Sequence, residues 1–369
     1  MCRLHGSELR VTYELPDCIN QRPRGHGERR CGLPDLPLLK TRLCVTPRLL
    51  ELRINEQALR RSPEVMQWER NPAGIGLSGA WRELPVEGRL FESARWLEAE
   101  RCFQWVDILT STLYRWDPDT DAVCAKQLGF DFLPLATPHT VLGKQLIADR
   151  QTVYEYEWGD VPQPLLTLPV DPEARLNDGI VDANGDLWIG SMGLVPDPAR
   201  PLGKLWRVGR SGGVEEIATD IVVSNGIAWA ETTRGFHIDS GIRKLYSIEL
   251  LNGRWARREL AEYPPPAEPD GIAVIGGVLW VALWGGSAIR CIADSGTAVR
   301  DVLVPVPRPS SIAASPGVVL VTAAGRGVGN DLDNFGAVLT TRRAQFEGRV
   351  PGRLSDHHER RQDSQVRAA

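Results

Sequence analysis

The chain has 369 residues, 42% hydrophobic and 24% charged, with a formal net charge of -4. These are the proportions of a folded globular protein, and they exclude a disordered, collagen-like or disulfide-scaffold chain. No run approaches ~20 consecutive apolar residues, which excludes a transmembrane helix, and Met1 to Arg10 lack the apolar core of a secretory leader, so the expected address is the cytoplasm.

Charge divides the chain into three parts. Residues 1–75 carry 13 Lys and Arg against 9 Asp and Glu, and residues 341–369 carry 7 against 4, which leaves 23 against 34 between them. An acidic body disfavours polyanions, so nucleic acid is not an expected partner. Residues 1–75 read as an extension, poorly ordered or partly helical, with one possible helix over residues 46–69. Cys2, Cys18, Cys31, Cys44, Cys102, Cys124 and Cys291 include no C-x-x-C pair and match no zinc spacing, so they read as reduced thiols.

From residue 90 to 345 the sequence repeats. Strand-like runs recur at Phe103–Asp107, Leu146–Ala148, Leu187–Gly190, Phe236–Asp239, Leu279–Ala282 and Val319–Thr322. Anchored on Gln104, Leu146, Leu187, Phe236, Leu279 and Val319, they are spaced by 42, 41, 49, 43 and 40 residues. Most are followed by a second alternating run, such as Leu113–Trp116 or Leu245–Ile248, behind turn residues such as Asn184-Gly185. A period of roughly 40–50 residues is that of a propeller blade. The prediction is an all-β, six-bladed β-propeller over residues 76–347, with irregular N- and C-terminal extensions at 1–75 and 348–369. The segment Trp81–Leu90 is expected to close the last blade near Phe335–Thr341.

One offset within the repeat is polar. Glu92-Ser93-Ala94-Arg95, Asn177-Asp178-Gly179-Ile180, Asn225-Gly226-Ile227-Ala228 and Asp270-Gly271-Ile272-Ala273 stand at similar distances before their anchors. Asn-Gly and Asp-Gly are ordinary turn dipeptides, but four such segments in register put Glu92, Asn177, Asn225 and Asp270 at equivalent depths around one axis. Carboxylate and amide oxygens of that kind suit Ca²⁺, Mg²⁺ or Mn²⁺.

The blocks Arg175-Leu176-Asn177-Asp178-Gly179, Val181 to Gly193, Ser224 to Trp229 with Phe236 to Ser240, and Pro269 to Val274 with Leu279 to Gly286 resemble the gluconolactonase / senescence-marker-protein / regucalcin family. The resemblance covers roughly residues 80–350. It implies a six-bladed propeller holding one divalent cation on its axis, with Glu92, Asn225 and Asp270 as metal ligands. It also implies substrate contacts from Arg175 and Asn177. The family's first block reads Glu-Gly-Pro, where this chain has Glu92-Ser93-Ala94.

The expected function is therefore a metal-dependent lactonase acting on a sugar lactone or related small lactone, with Asp270 doubling as general base. Oxygen ligation leaves Ca²⁺, Mn²⁺, Mg²⁺ and Zn²⁺ open. The expected partner is the small-molecule lactone, with no nucleic acid or membrane; oligomeric state has no signal. The competing readings are an organophosphate or aryl-ester hydrolase, a non-catalytic calcium-binding regulatory propeller, and a docking propeller. Asp182 to Asp186 mimics a calcium loop but reads as a hairpin turn, and His237 reads as packed.

Overall fold

The computed structural model describes residues 81–141, 143–293, 295–325 and 336–343. The expected extensions at 1–75 and 348–369, with the helix at 46–69, lie outside these residues. In chain order the strands are β1 (Arg82–Glu83), then β2 (Phe91–Leu97), β3 (Cys102–Asp107), β4 (Thr112–Asp117) and β5 (Ala122–Gln127) in the first blade. The second blade is β6 (Leu135–Pro138), β7 (Lys144–Ala148), β8 (Thr152–Glu157) and β9 (Gln163–Thr167), and the third is β10 (Ala174–Val181), β11 (Leu187–Gly193), β12 (Gly203–Val208) and β13 (Val214–Ile221). The fourth is β14 (Ser224–Glu231), β15 (Arg234–Asp239), β16 (Lys244–Leu251) and β17 (Arg254–Glu262), and the fifth is β18 (Glu268–Ile275), β19 (Val278–Trp284), β20 (Ala288–Ile292) and β21 (Ala298–Leu303). The sixth contains β22 (Pro309–Ala314), β23 (Val318–Ala323) and β24 (Ala337–Arg342). Each blade is a four-stranded antiparallel sheet, and β1 supplies the fourth strand of the last. The chain is a six-bladed β-propeller.

Burial follows the radius. All six residues of β3 are buried, whereas β5, at the outer edge of the same blade, is mostly exposed. The apolar core divides into six clusters, and each lies between two neighbouring blades rather than inside one. Trp105, Trp188, Trp206 and Trp280 are fully buried in them. Trp188 of the third blade meets Trp229 and Trp255 of the fourth at centroid distances of 4.7 and 4.9 Å. An indole that removes ~200 Å² from water contributes about 5 kcal/mol before ordering entropy is subtracted.

The ring closes where the sequence places it. Arg82 pairs with Thr340 and Glu83 with Leu339. Two serines of β22 tie the sixth blade to the first: Ser310 Oγ donates to the Phe91 carbonyl, and Ser311 Oγ accepts from the Ala94 amide at 3.1 Å.

The innermost strands are not regular. Five of the six slip register against their neighbour at the same depth: after Glu92, Leu176, Asn225, Pro269 and Pro309. A bulge of this kind leaves a residue unpaired and re-aims its side chain. The glycines behind it let the next innermost strand come close. A Cβ on Gly226 would lie 2.4 Å from the Asp270 carbonyl oxygen, and one on Gly271 would lie 2.5 Å from that of Ser310. These Asn-Gly and Asp-Gly pairs thus sit inside strands rather than in turns. In the first blade Ser93 takes the corresponding place, in a left-handed conformation (φ 54) that glycine adopts more easily. No helix among the described residues is long and apolar enough to cross a membrane.

Candidate active site

The bulges gather polar side chains from β2, β10, β14 and β18 at one end of the axis. Asp270, buried in β18, accepts a hydrogen bond at Oδ1 from Asn225 Nδ2 of β14. That leaves Asn225 Oδ1 as an acceptor turned to other use. Glu92 of β2 adjoins the same carboxylate, and each of the two groups affects the ionisation of the other. Burial, and then the charge of Asp178, push the Glu92 carboxyl up to about 8, against Ser93, Arg175 and Asp270, which favour its ionised form. Asp270 lies well above the usual carboxylate range, chiefly because it is buried, and next because Glu92, Asp178 and Glu268 repel its charge.

Arg175 and Asn177 work as a pair. Arg175 Nη1 donates to Asn177 Oδ1 at 2.7 Å and to the Leu176 carbonyl at 2.9 Å. Asn177 Nδ2 donates to the Ser224 carbonyl at 2.9 Å. Both ends of the Asn177 amide are therefore assigned, and one N–H of Nδ2 remains to donate. The Arg175 guanidinium carbon lies 5.5 Å from the centre of the Phe132 ring. Burial lowers Arg175 to about 10, with Glu92 opposing that fall.

Asp178 is the residue that the sequence reading passed over. Strict alternation along β10 puts it on the face opposite Asn177, but the slip between Leu176 and Gly179 breaks the alternation. Its carboxylate pairs with Arg95 at 3.5 Å and accepts from the Gly179 amide at 2.7 Å. Burial raises it and Arg95 draws it back down. The only advance sign was its place in the Arg-x-Asn-Asp-Gly block.

Three carboxyl groups, Glu92, Asp178 and Asp270, thus share the site with two guanidiniums, Arg95 and Arg175. Among the described residues no three His, Cys, Asp or Glu side chains stand together as a ligand set; the candidate set is two carboxylates and one amide oxygen. These donors fit a hard divalent cation. The raised Glu92 and Asp270 carboxyls are the mark of buried negative charge for which nearby cations do not compensate. A cavity of about 270 Å³, walled by Arg95, Ile180, Ala228, Ile272, Ala273 and Ile312, contains none of the five predicted residues.

Three further positions keep structural duties. Asp182 Oδ1 accepts from the amides of Asn184 and Asp186 at 2.8 and 3.0 Å, which makes the segment a hairpin turn. Asp239 accepts from the amides of Val222 and Val223 at 3.2 and 3.0 Å and lies fully buried. His237 is fully buried between Ser224 and Arg257.

The model of the SMP-30/Gluconolactonase/LRE-like region matches residues 90–323. An uncharacterized protein of Sulfolobus acidocaldarius is 34% identical over 151 residues, which cover 38% of this chain and 54% of that one. A 6-deoxy-6-sulfogluconolactonase of Pseudomonas putida is 28% identical over 232 residues, covering 61% of this chain and 78% of the relative. The crystal structure of a calcium-binding protein, regucalcin, from Agrobacterium tumefaciens superposes with a TM-score of 0.64 at 23% identity, over 72% of this chain and 94% of that one.

Proposed function

This chain belongs to the SMP-30/gluconolactonase/LRE-like family, and from that premise we propose that it is a metal-dependent hydrolase opening a sugar lactone or related small lactone ring. One observation carries the reading. Glu92, Asn225 and Asp270, from three blades, converge at one end of the axis beside the Arg175–Asn177 pair. The name of the Pseudomonas putida relative, a sulfogluconolactonase, supports lactones as the substrate class. The cytoplasmic address is part of the same reading.

Glu92, Asn225 and Asp270 would hold the cation, Ca²⁺, Mn²⁺, Mg²⁺ or Zn²⁺, which when bound supplies a Lewis acid for the lactone carbonyl oxygen. Arg175 and the remaining N–H of Asn177 donate to substrate hydroxyl or ring oxygens and fix the ring for attack. Asp270 takes the proton of the attacking water through the oxygen that Asn225 does not occupy. Burial raises its basicity toward the working pH, where a general base is most effective. Water oxygen bonds to the carbonyl carbon, the ring C–O bond breaks, and the departing alkoxide takes up the proton, leaving a hydroxy acid.

The test is pH-stat hydrolysis of a panel of sugar lactones by metal-stripped protein, then with each cation restored. Activity should vanish on stripping and return with one cation. Asp270→Asn should lower kcat at least ~10²-fold with the strand signature of the circular dichroism spectrum retained. Full turnover by stripped protein, or wild-type kcat in Asp270→Asn at saturating cation, would overturn the assignment.

A further inference from the structure

Arg95 belongs to two places. From β2 of the first blade its Nη2 reaches β10 of the third, donating to the Gly179 carbonyl at 2.8 Å with the Asp178 carboxylate at 3.5 Å. Its Nη1 donates to the Ala94 carbonyl at 2.8 Å. Arg95 also walls the cavity of about 270 Å³ that the lactone chemistry leaves unused.

The lining of that cavity follows the repeat. Arg95 stands three residues after Glu92, Ile180 three after Asn177, Ala228 three after Asn225 and Ala273 three after Asp270. At ~3.3 Å per residue, the innermost strands meet it up to about 10 Å beyond the candidate active site. Its walls are of two kinds. Ile180, Ile272 and Ile312 are aliphatic, and among the described residues its charged lining is two guanidiniums, Arg95 and Arg343. Arg343 follows β24, and its Nη1 donates to the Ser315 carbonyl at 3.1 Å. The neighbouring acids are engaged outside the lining: Asp178 with Arg95 and the Gly179 amide, and Glu98 with the indole N–H of Trp96.

We propose that this cavity is a second small-molecule site, separate from the proposed lactone site, and that it takes a monocyclic carboxylate. The ring lies against the isoleucines, and the carboxylate, on a short arm, meets Arg95 and Arg343. An apolar cavity of ~150 Å³ holds benzene, so this one has room for a ring and its arm. Burial of the ring supplies apolar contact, and forked guanidiniums suit a carboxylate through charge-assisted, often bidentate, hydrogen bonds. A neutral ligand of the same shape keeps the first of these and loses the second.

The test is titration calorimetry of the full chain with 3-phenylpropionate and with its neutral isostere, 3-phenylpropionamide. The acid should bind about tenfold or more tightly than the amide. Ala273→Phe, which places a ring in the cavity from a partly exposed wall position, should abolish binding of both. Arg95→Met and Arg343→Met should each cut the preference for the acid at least about threefold without weakening the amide. Arg343 lies outside the strands, so its variant keeps the test open should Ala273→Phe fail to fold. Arg175→Met, at the proposed lactone site, should leave the affinity for the acid unchanged. Equal binding of acid and amide, binding of neither, or wild-type affinity in folded Ala273→Phe overturns the proposal. So does a preference that survives both of the cavity arginine variants, or a loss of binding in Arg175→Met, which would put the acid in the lactone site.

Discussion

His237 is a fully buried titratable group with a hydrogen-bond partner for each ring nitrogen. Arg257 Nη1 stands 3.2 Å from Nδ1, and since a guanidinium can only donate, Nδ1 must accept. Nε2 then carries the proton and donates to Ser224 Oγ at 2.8 Å. Burial, and next the Arg257 charge, hold the imidazole well below its usual 6.5. The unfolded chain therefore binds a proton below about 6.5 that the folded chain refuses, and stability falls as the pH drops through that value. His237 should add a slope of up to ~1.4 kcal/mol per pH unit there. Urea unfolding between pH 7.5 and 5 should show a shallower fall in His237→Gln than in the wild type. Parallel curves would mean that His237 is protonated in the folded protein. The residues of the candidate site were legible to different degrees. Glu92, Asn225 and Asp270 share one offset in the repeat and stand out by register. Asp178 does not, because its position depends on a bulge and alternation points it elsewhere.

At the scale of the strand, the bulge on each innermost strand links fold to site. Gly226 follows Asn225 and faces the backbone of Asp270, so the two residues that share a hydrogen bond also belong to strands in close contact. Gly226→Ala would set a methyl 2.4 Å from a carbonyl oxygen and 2.9 Å from Ile272, where backbone rather than a flexible side chain must yield. The expected cost is about 1–3 kcal/mol in urea unfolding, with lactone turnover lost along with the Asn225–Asp270 contact. Gly213→Ala is the control, since a Cβ there meets nothing within 4 Å. Equal stability and turnover in the two variants would show that the inner strands can spread. The sequence made the blades readable through their second and third strands, whose alternating aromatic and branched residues carry the period. It concealed the inner strands because a bulged strand has no clean alternation, and there the Asn-Gly and Asp-Gly pairs imitate turns.

On the scale of the ring, no blade owns a core. All six apolar clusters lie between neighbours, so removing one blade exposes a face of each of two others. Unfolding should accordingly be a single transition for the propeller. The proposed ligands span this ring: Glu92 belongs to the first blade, Asn225 to the fourth and Asp270 to the fifth. A cation bound by all three ties the inner strand of the first blade to those of the fourth and fifth, from which other blades separate it around the ring. At a free concentration 100 times its Kd it adds about 2.7 kcal/mol to the folded state, or a Tm rise of roughly 5 °C for a domain of this size. Asn225→Ala should abolish that rise. Its cation-free Tm should fall below that of the wild type, because the deleted amide leaves the buried Asp270 Oδ1 without its donor, so the readout is the difference in each protein with and without cation. Calorimetry with and without Mn²⁺ distinguishes the outcomes. A rise that persists in Asn225→Ala places the cation elsewhere in the molecule, whereas two separate transitions would mean that the ring is not held as one unit by its interblade clusters.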